Sequence, residues 1–112
     1  MKINLRDEAG VSIVAVSGEL DASSAADLEK AIDRLLAEGR RSVLVSLGEV
    51  GFIDSAGLAT LVKALKRVRK ASGKLFLAGL QPAVRRVFEL TRLDKAFEIA
   101  ADEAEAKRQF AG

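Results

Sequence analysis

Asp54 and Ser55 set a carboxylate beside a hydroxyl within Phe52-Ile53-Asp54-Ser55-Ala56-Gly57-Leu58, where an apolar run stops and a helical pattern begins. A serine at the start of a helix is placed to meet phosphate. Unpaired backbone N–H groups and the positive end of the helix dipole favour an added anion there, and Gly57 leaves room for a phosphate or for another molecule's backbone. Plain capping accounts for the same pair, since Ser is among the commonest N-caps and Asp in a first turn complements the dipole.

Other chemistries lack parts. With no Cys and no His in 112 residues, the chain holds no disulfide, no thiol chemistry, no Cys/His zinc site and no internal Ser-His-Asp triad. No Gly-rich cradle of the Walker type is present and Ser55 has no evident base, so Ser55 is better placed to receive a phosphoryl group than to transfer one. Asp54 as a phosphoryl-accepting carboxylate, as in a response-regulator receiver, needs a Mg²⁺ site built from an acidic pair at the end of the first strand. Asp7-Glu8 is acidic but falls in a hairpin turn, on the wrong connection.

Acidic and basic groups nearly balance, leaving a net charge of +2, and there is no Tyr or Trp with only five Phe. That describes a solvated surface with no platform for stacking bases, and nucleic acid is not implied. No basic region leads into a long apolar run at the N-terminus and no segment approaches the length of a membrane span, so a cytoplasmic protein without a membrane partner is expected. Residues 1–112, 49% hydrophobic, read as a single domain that buries roughly two-thirds of its unfolded surface. No metal or other cofactor is implied.

Several elements must position Asp54 and Ser55. Ile3 and Leu5 alternate with polar neighbours, Glu8-Ala9-Gly10 turns, and Val11 to Val16 resumes, which predicts a β-hairpin. Gly18-Glu19-Leu20-Asp21 ends the second strand, and Ser24 with Asp27 forms a capping box for a helix burying Leu28, Ala31, Ile32, Leu35 and Leu36, stopped by Gly39. Val43-Leu44-Val45-Ser46-Leu47 suits a parallel strand covered on both faces, with Gly48 to Gly51 as the following loop. Leu58, Leu61, Leu65 and Val68 mark an amphipathic helix from about Ser55 to Ala71. Its Lys63, Lys66, Arg67 and Lys70 read as a solvated face in preference to an anion site.

Lys74 to Gly79 predicts another buried strand, Pro82 opens a third helix with Val84, Val87 and Phe88 inward, Phe97-Glu98-Ile99 is a weaker strand, and Asp102 caps a last helix through Phe110. The order β-β-α-β-α-β-α-β-α predicts an α/β fold: a mixed sheet, an N-terminal hairpin plus parallel strands, with about four helices. Right-handed crossovers put the turns after strands 11–17 and 43–47 at carboxyl ends, on one edge. Val50, Phe52 and Ile53 stand between core and contact surface; Leu58 and Leu61 are expected to pack, Leu20 and Thr60 to be partly available to a partner.

Taken together, the Phe52–Leu58 stretch, Gly18-Glu19-Leu20-Asp21 and Leu80-Gln81-Pro82-Ala83-Val84 resemble the signatures of the STAS family, and within it the single-domain anti-sigma factor antagonists. The resemblance covers essentially the whole chain. It implies a STAS-like fold, Ser55 as phosphoacceptor, and Asp54 helping to position the site or its kinase-bound metal. It further implies a partner surface made by Asp21, Ala22, Ser23 and Ser24 together with Asp54, Ser55, Ala56, Gly57 and Leu58.

In that family the unmodified antagonist binds an anti-sigma factor and frees the sigma factor; the anti-sigma factor is the ATP-dependent Ser kinase, and a Ser phosphatase reverses the mark. The chain itself is then no enzyme, and a monomer or weak homodimer is implied. Two departures are visible. Ser46 stands where many relatives have an acidic residue, and Ala56 replaces a common second serine, which removes an ambiguity over the modified hydroxyl. The alternative within the same resemblance is a scaffold, or a subunit of a signalling or lipid-transport ATPase complex, docking through the same surface.

Overall fold

Ala9 and Gly10, at φ 53° and 82°, fold Lys2–Glu8 (β1) back on Val11–Leu20 (β2), with Glu8 opposite Val11 across a two-residue turn. Two central residues with positive φ twist as the flanking strands do, which is why such turns close tight hairpins. A computed structural model describes residues 1–111 of the chain. After the hairpin come the helix Ala25–Ala37 (α1), strand Ser42–Ile53 (β3), helix Ser55–Lys70 (α2), strand Lys74–Ala78 (β4), helix Pro82–Leu90 (α3), a 3₁₀ turn at Leu93–Lys95, strand Glu98–Ala100 (β5) and helix Glu103–Ala111 (α4). The five strands lie in chain order, β1 antiparallel to β2 and the others parallel. Among the described residues, the mixed sheet with about four helices expected from the sequence is the fold observed, with four helices present.

Alternation along β3 divides the interior. Val43, Val45 and Leu47 join the core under α1, α2 and α3, whereas Leu44 points to the other face, with Phe76 and with Ala106 of α4. Both faces of that strand are covered, as its unbroken apolar run predicts. Phe110 of α4 stacks on Phe76 at 4.2 Å between ring centroids, and on the first face Phe88 meets Phe97 edge-on at 5.6 Å. Offset and edge-on pairs are the favoured aromatic contacts.

Two local expectations are corrected. Gly48 to Gly51 is not a loop: β3 continues to Ile53, because β2 runs alongside and pairs Glu49, Val50, Phe52 and Ile53 with Ser17, Gly18, Glu19 and Leu20 through two register shifts. Gly48 and Gly51 fall at those shifts without a cross-strand partner, and the tolerance of strands for bulges lets β3 continue through them. Ser24 precedes α1, but no capping box forms: its hydroxyl bonds to the Glu19 carbonyl and takes the Asp21 amide, both at 2.9 Å, and makes no bond to the helix. Asp102 does cap α4, accepting the Glu105 amide at 2.8 Å.

Candidate functional site

Where β3 ends, Asp54 takes an extended backbone, φ −113° and ψ −173°, and its carboxylate accepts the Gly57 amide at 2.9 Å. Asp54 is therefore the N-cap of α2, and Ser55 is the first helical residue, its side chain exposed. The capping explanation for Ser55 is thereby overturned: the carboxylate one residue earlier performs it. First-turn amides of a helix reach no helical carbonyl, so those of Ser55 and Ala56 are left for solvent or an anion.

The turn after β2 lies beside this one. Leu20 pairs with Ile53, and the Leu20 carbonyl accepts the Asp54 amide at 3.3 Å. Gly57 is buried against that carbonyl, and a Cβ at position 57 would also meet Ile53 Cγ1 at 2.9 Å. The close approach expected of Gly57 is thus made by its own chain, and no space is left over it for a phosphate. Asp21 then opens a tight turn, its Oδ1 accepting the Ser23 amide at 3.0 Å and the Ser23 hydroxyl at 2.6 Å. The Ser23 hydroxyl is the main cause holding the Asp21 carboxyl below its ordinary value, so Asp21 stays an anion.

Of the nine residues singled out for partner contact, Ala22, Ser23 and Ser55 are exposed and Asp21, Asp54 and Ala56 half-buried, all at the carboxyl end of the parallel strands. Ser24, Gly57 and Leu58 face inward and shape the backbone. Leu20 and Thr60, expected to be partly available, are buried; Leu20 lies under the turn, and the Thr60 hydroxyl bonds to the Ala56 carbonyl at 3.0 Å. Leu61 packs as expected, Val50 and Ile53 belong to the core, and Phe52 is half exposed.

Lys63 and Arg67 pair with carboxylates of α1, Lys63 with Glu29 at 3.0 Å and Arg67 with Asp33 at 2.6 Å, which agrees with a solvated face bridging two helices. Asp7 and Glu8 sit at the opposite end of the sheet from Asp54, where Arg40, Arg6 and Lys107 hold them. The acidic pair a receiver needs is therefore far from its carboxylate. Gln81, which the sequence marks only as part of the Leu80–Val84 signature, donates its side-chain amide to the Gly48 carbonyl at 2.8 Å and steadies β3 beyond the end of β4.

No helix among the described residues is long and apolar enough to cross a membrane. The STAS domain family model matches residues 2–106. The Bordetella bronchiseptica protein BtrV is 31% identical over 110 residues, 98% of this chain and 95% of the relative. An anti-sigma-B factor antagonist of Staphylococcus aureus is 34% identical over 80 residues, 71% of this chain and 74% of its own. The solved structure of an anti-sigma factor antagonist from Mycobacterium paratuberculosis superposes with a TM-score of 0.90 at 32% identity, covering 99% of this chain and 94% of that one. With family match, relatives and fold in agreement over nearly its whole length, the chain belongs to the STAS domain family.

Proposed function

We propose that this protein is an anti-sigma factor antagonist: unmodified, it binds an anti-sigma factor and so releases a sigma factor, and phosphorylation of Ser55 by that same partner switches it off. The observation that carries the reading is an exposed Ser55 hydroxyl at the first position of α2, freed from capping by Asp54. The antagonists named among its relatives support the partner class.

Ser55 is the acceptor. Its Oγ forms a bond to the γ-phosphorus of ATP as the bond to the β–γ bridging oxygen breaks and ADP leaves. The hydroxyl proton goes to a base of the kinase, because this chain has no His and the nearest carboxylate, Asp54, holds the Gly57 amide. Asp21, Ala22 and Ser23, with Asp54, Ser55 and Ala56, form the contact surface; Ser24, Gly57 and Leu58 hold its backbone. A Ser phosphatase reverses the mark.

Phosphoserine adds roughly −1.5 to −2 charges at pH 7. Beside Asp54, like-charge repulsion offsets a helix-dipole gain of about 0.3–1 kcal/mol, so the fold persists. A partner packed over Ser55 must desolvate the new anion, at a cost of several kcal/mol, enough to lower affinity about a thousandfold. The switch is steric and electrostatic, without refolding.

The test is to incubate the protein with ATP and the anti-sigma kinase encoded nearest its gene, mapping modification by mass spectrometry with Ser55→Ala as control. Modification at Ser55 alone, with loss of the complex, is expected. A stable complex without any modification would instead indicate a constitutive scaffold or transport-complex subunit.

A further inference from the structure

Past Ser46, which pairs with Ala78 at the end of β4, β3 has a strand partner on the β2 side only. This extension carries Phe52, whose surface is 50% exposed and which belongs to neither hydrophobic core. Gly48 and Gly51, both exposed, offer no side chain to cover the ring. The other large exposed apolar residues described, Met1, Leu5 and Leu90, lie on or before β1 and at the end of α3; Phe52 alone is within three residues of Ser55.

We propose that Phe52 is the apolar anchor of the surface that docks the anti-sigma kinase, received in a pocket of that partner. The inference rests on the reading of Ser55 given above. Three residues of chain span at most about 10 Å, while a standard interface of roughly 800 Å² per partner has a radius near 16 Å. Phe52 therefore lies within reach of a kinase centred over the Ser55 hydroxyl. Buried aromatic side chains near the middle of an interface contribute most of its affinity, and their polar surroundings serve mainly to exclude water.

The surroundings here are acidic: Glu19 is the cross-strand neighbour of Phe52, and Glu49, Asp21 and Asp54 stand at the same end of the sheet. The matching pocket is apolar with a cationic rim. The fold does not require the ring, because strand pairing at position 52 is made by the backbone.

The experiment compares wild type, Phe52→Ala and Phe52→Leu against the anti-sigma kinase encoded nearest the gene. Dissociation constants are measured by calorimetry without ATP, and initial rates of Ser55 phosphorylation with it. Phe52→Ala is expected to weaken binding roughly tenfold or more and to raise KM similarly, with kcat within about twofold and the melting temperature unchanged. Phe52→Leu, which keeps an apolar side chain, recovers most of the loss. Binding of Phe52→Ala within about twofold of wild type overturns the inference. A wild-type complex that is never phosphorylated overturns the reading of Ser55 alone, since the dissociation constants still report on Phe52; absence of any wild-type complex overturns both.

Discussion

The carbonyl oxygen of Leu20 lies against the Cα of Gly57, so close that a Cβ there would collide with it, while also accepting the Asp54 amide at 3.3 Å. One backbone carbonyl thus ties the end of β2 to the first turn of α2, the two turns of the proposed docking surface. Gly57→Ala is expected to cost about 1–3 kcal/mol, as overpacking does when the obstacle is backbone that has no rotamer to turn into. Thermal unfolding should fall by roughly 5–15 °C for a domain of this size. A melting temperature equal to that of wild type would show that the Leu20 carbonyl does not constrain position 57.

Asp54 caps α2 through Gly57, and a cap of this kind contributes about 1 kcal/mol. Asp54→Ala should lose that amount in urea unfolding and Asp54→Asn, which keeps an acceptor oxygen, should lose little. Equal losses in the two variants would assign the effect to charge in place of the hydrogen bond.

Ser55 bears no structural hydrogen bond as cap, so Ser55→Ala and Ser55→Asp should both unfold within about 0.5 kcal/mol of wild type. Partner binding should separate them. Ser55→Ala binds as the unmodified protein does, whereas Ser55→Asp, carrying part of the phosphate's charge, binds at least roughly tenfold more weakly by isothermal titration. Matched affinities would remove the electrostatic basis of the switch.

Glu8 joins β1 to the last helix: Lys107 Nζ lies at 2.6 Å and Arg6 Nε at 2.7 Å, and Arg6 also reaches Glu103. Hydrogen bonding to Lys107 first, and then to Arg6, pulls the Glu8 carboxyl from 4.5 down to about 2. Because the folded value is the lower one, the stabilisation is fully present above pH 4.5 and is lost as pH falls toward 2. The stability difference between wild type and Glu8→Gln should therefore shrink across that window. Added salt should also reduce it, since the pair is solvent-accessible. A difference independent of pH would mean that these contacts do not form in solution.

The positions most legible in the sequence were those governed by near neighbours along the chain. The hairpin at Ala9-Gly10, the doubly covered run Val43–Leu47, the α2 stripe of Leu58, Leu61, Leu65 and Val68, and the Asp102 cap all follow from periods, turn chemistry and capping. The Asp54-Ser55 pair stood out as a candidate site for the same reason. Which of the two capped the helix was not, because either side chain is chemically able to do so and the backbone angle of Asp54 decides.

By itself, then, the sequence determined the order of elements, the two-faced burial of the central strand and the excluded chemistries, since composition and periodicity are properties of residues close in the chain. Tertiary structure decided the rest. Gly48 and Gly51 remain in a strand only because β2 supplies the ladder; Ser24 turns to the Glu19 carbonyl and leaves its helix uncapped; Gly57 is required by Leu20, and Thr60 is sealed against Ala56. In the first and third of these the partner lies some thirty or more residues away; the Ser24 hydroxyl accepts the Asp21 amide where a cap would accept a helix amide, and the Thr60 hydroxyl bonds back one turn within α2. None of these contacts leaves a periodic trace, so the exposure of Phe52 and Ser55 on one shared edge appears only once the sheet has formed.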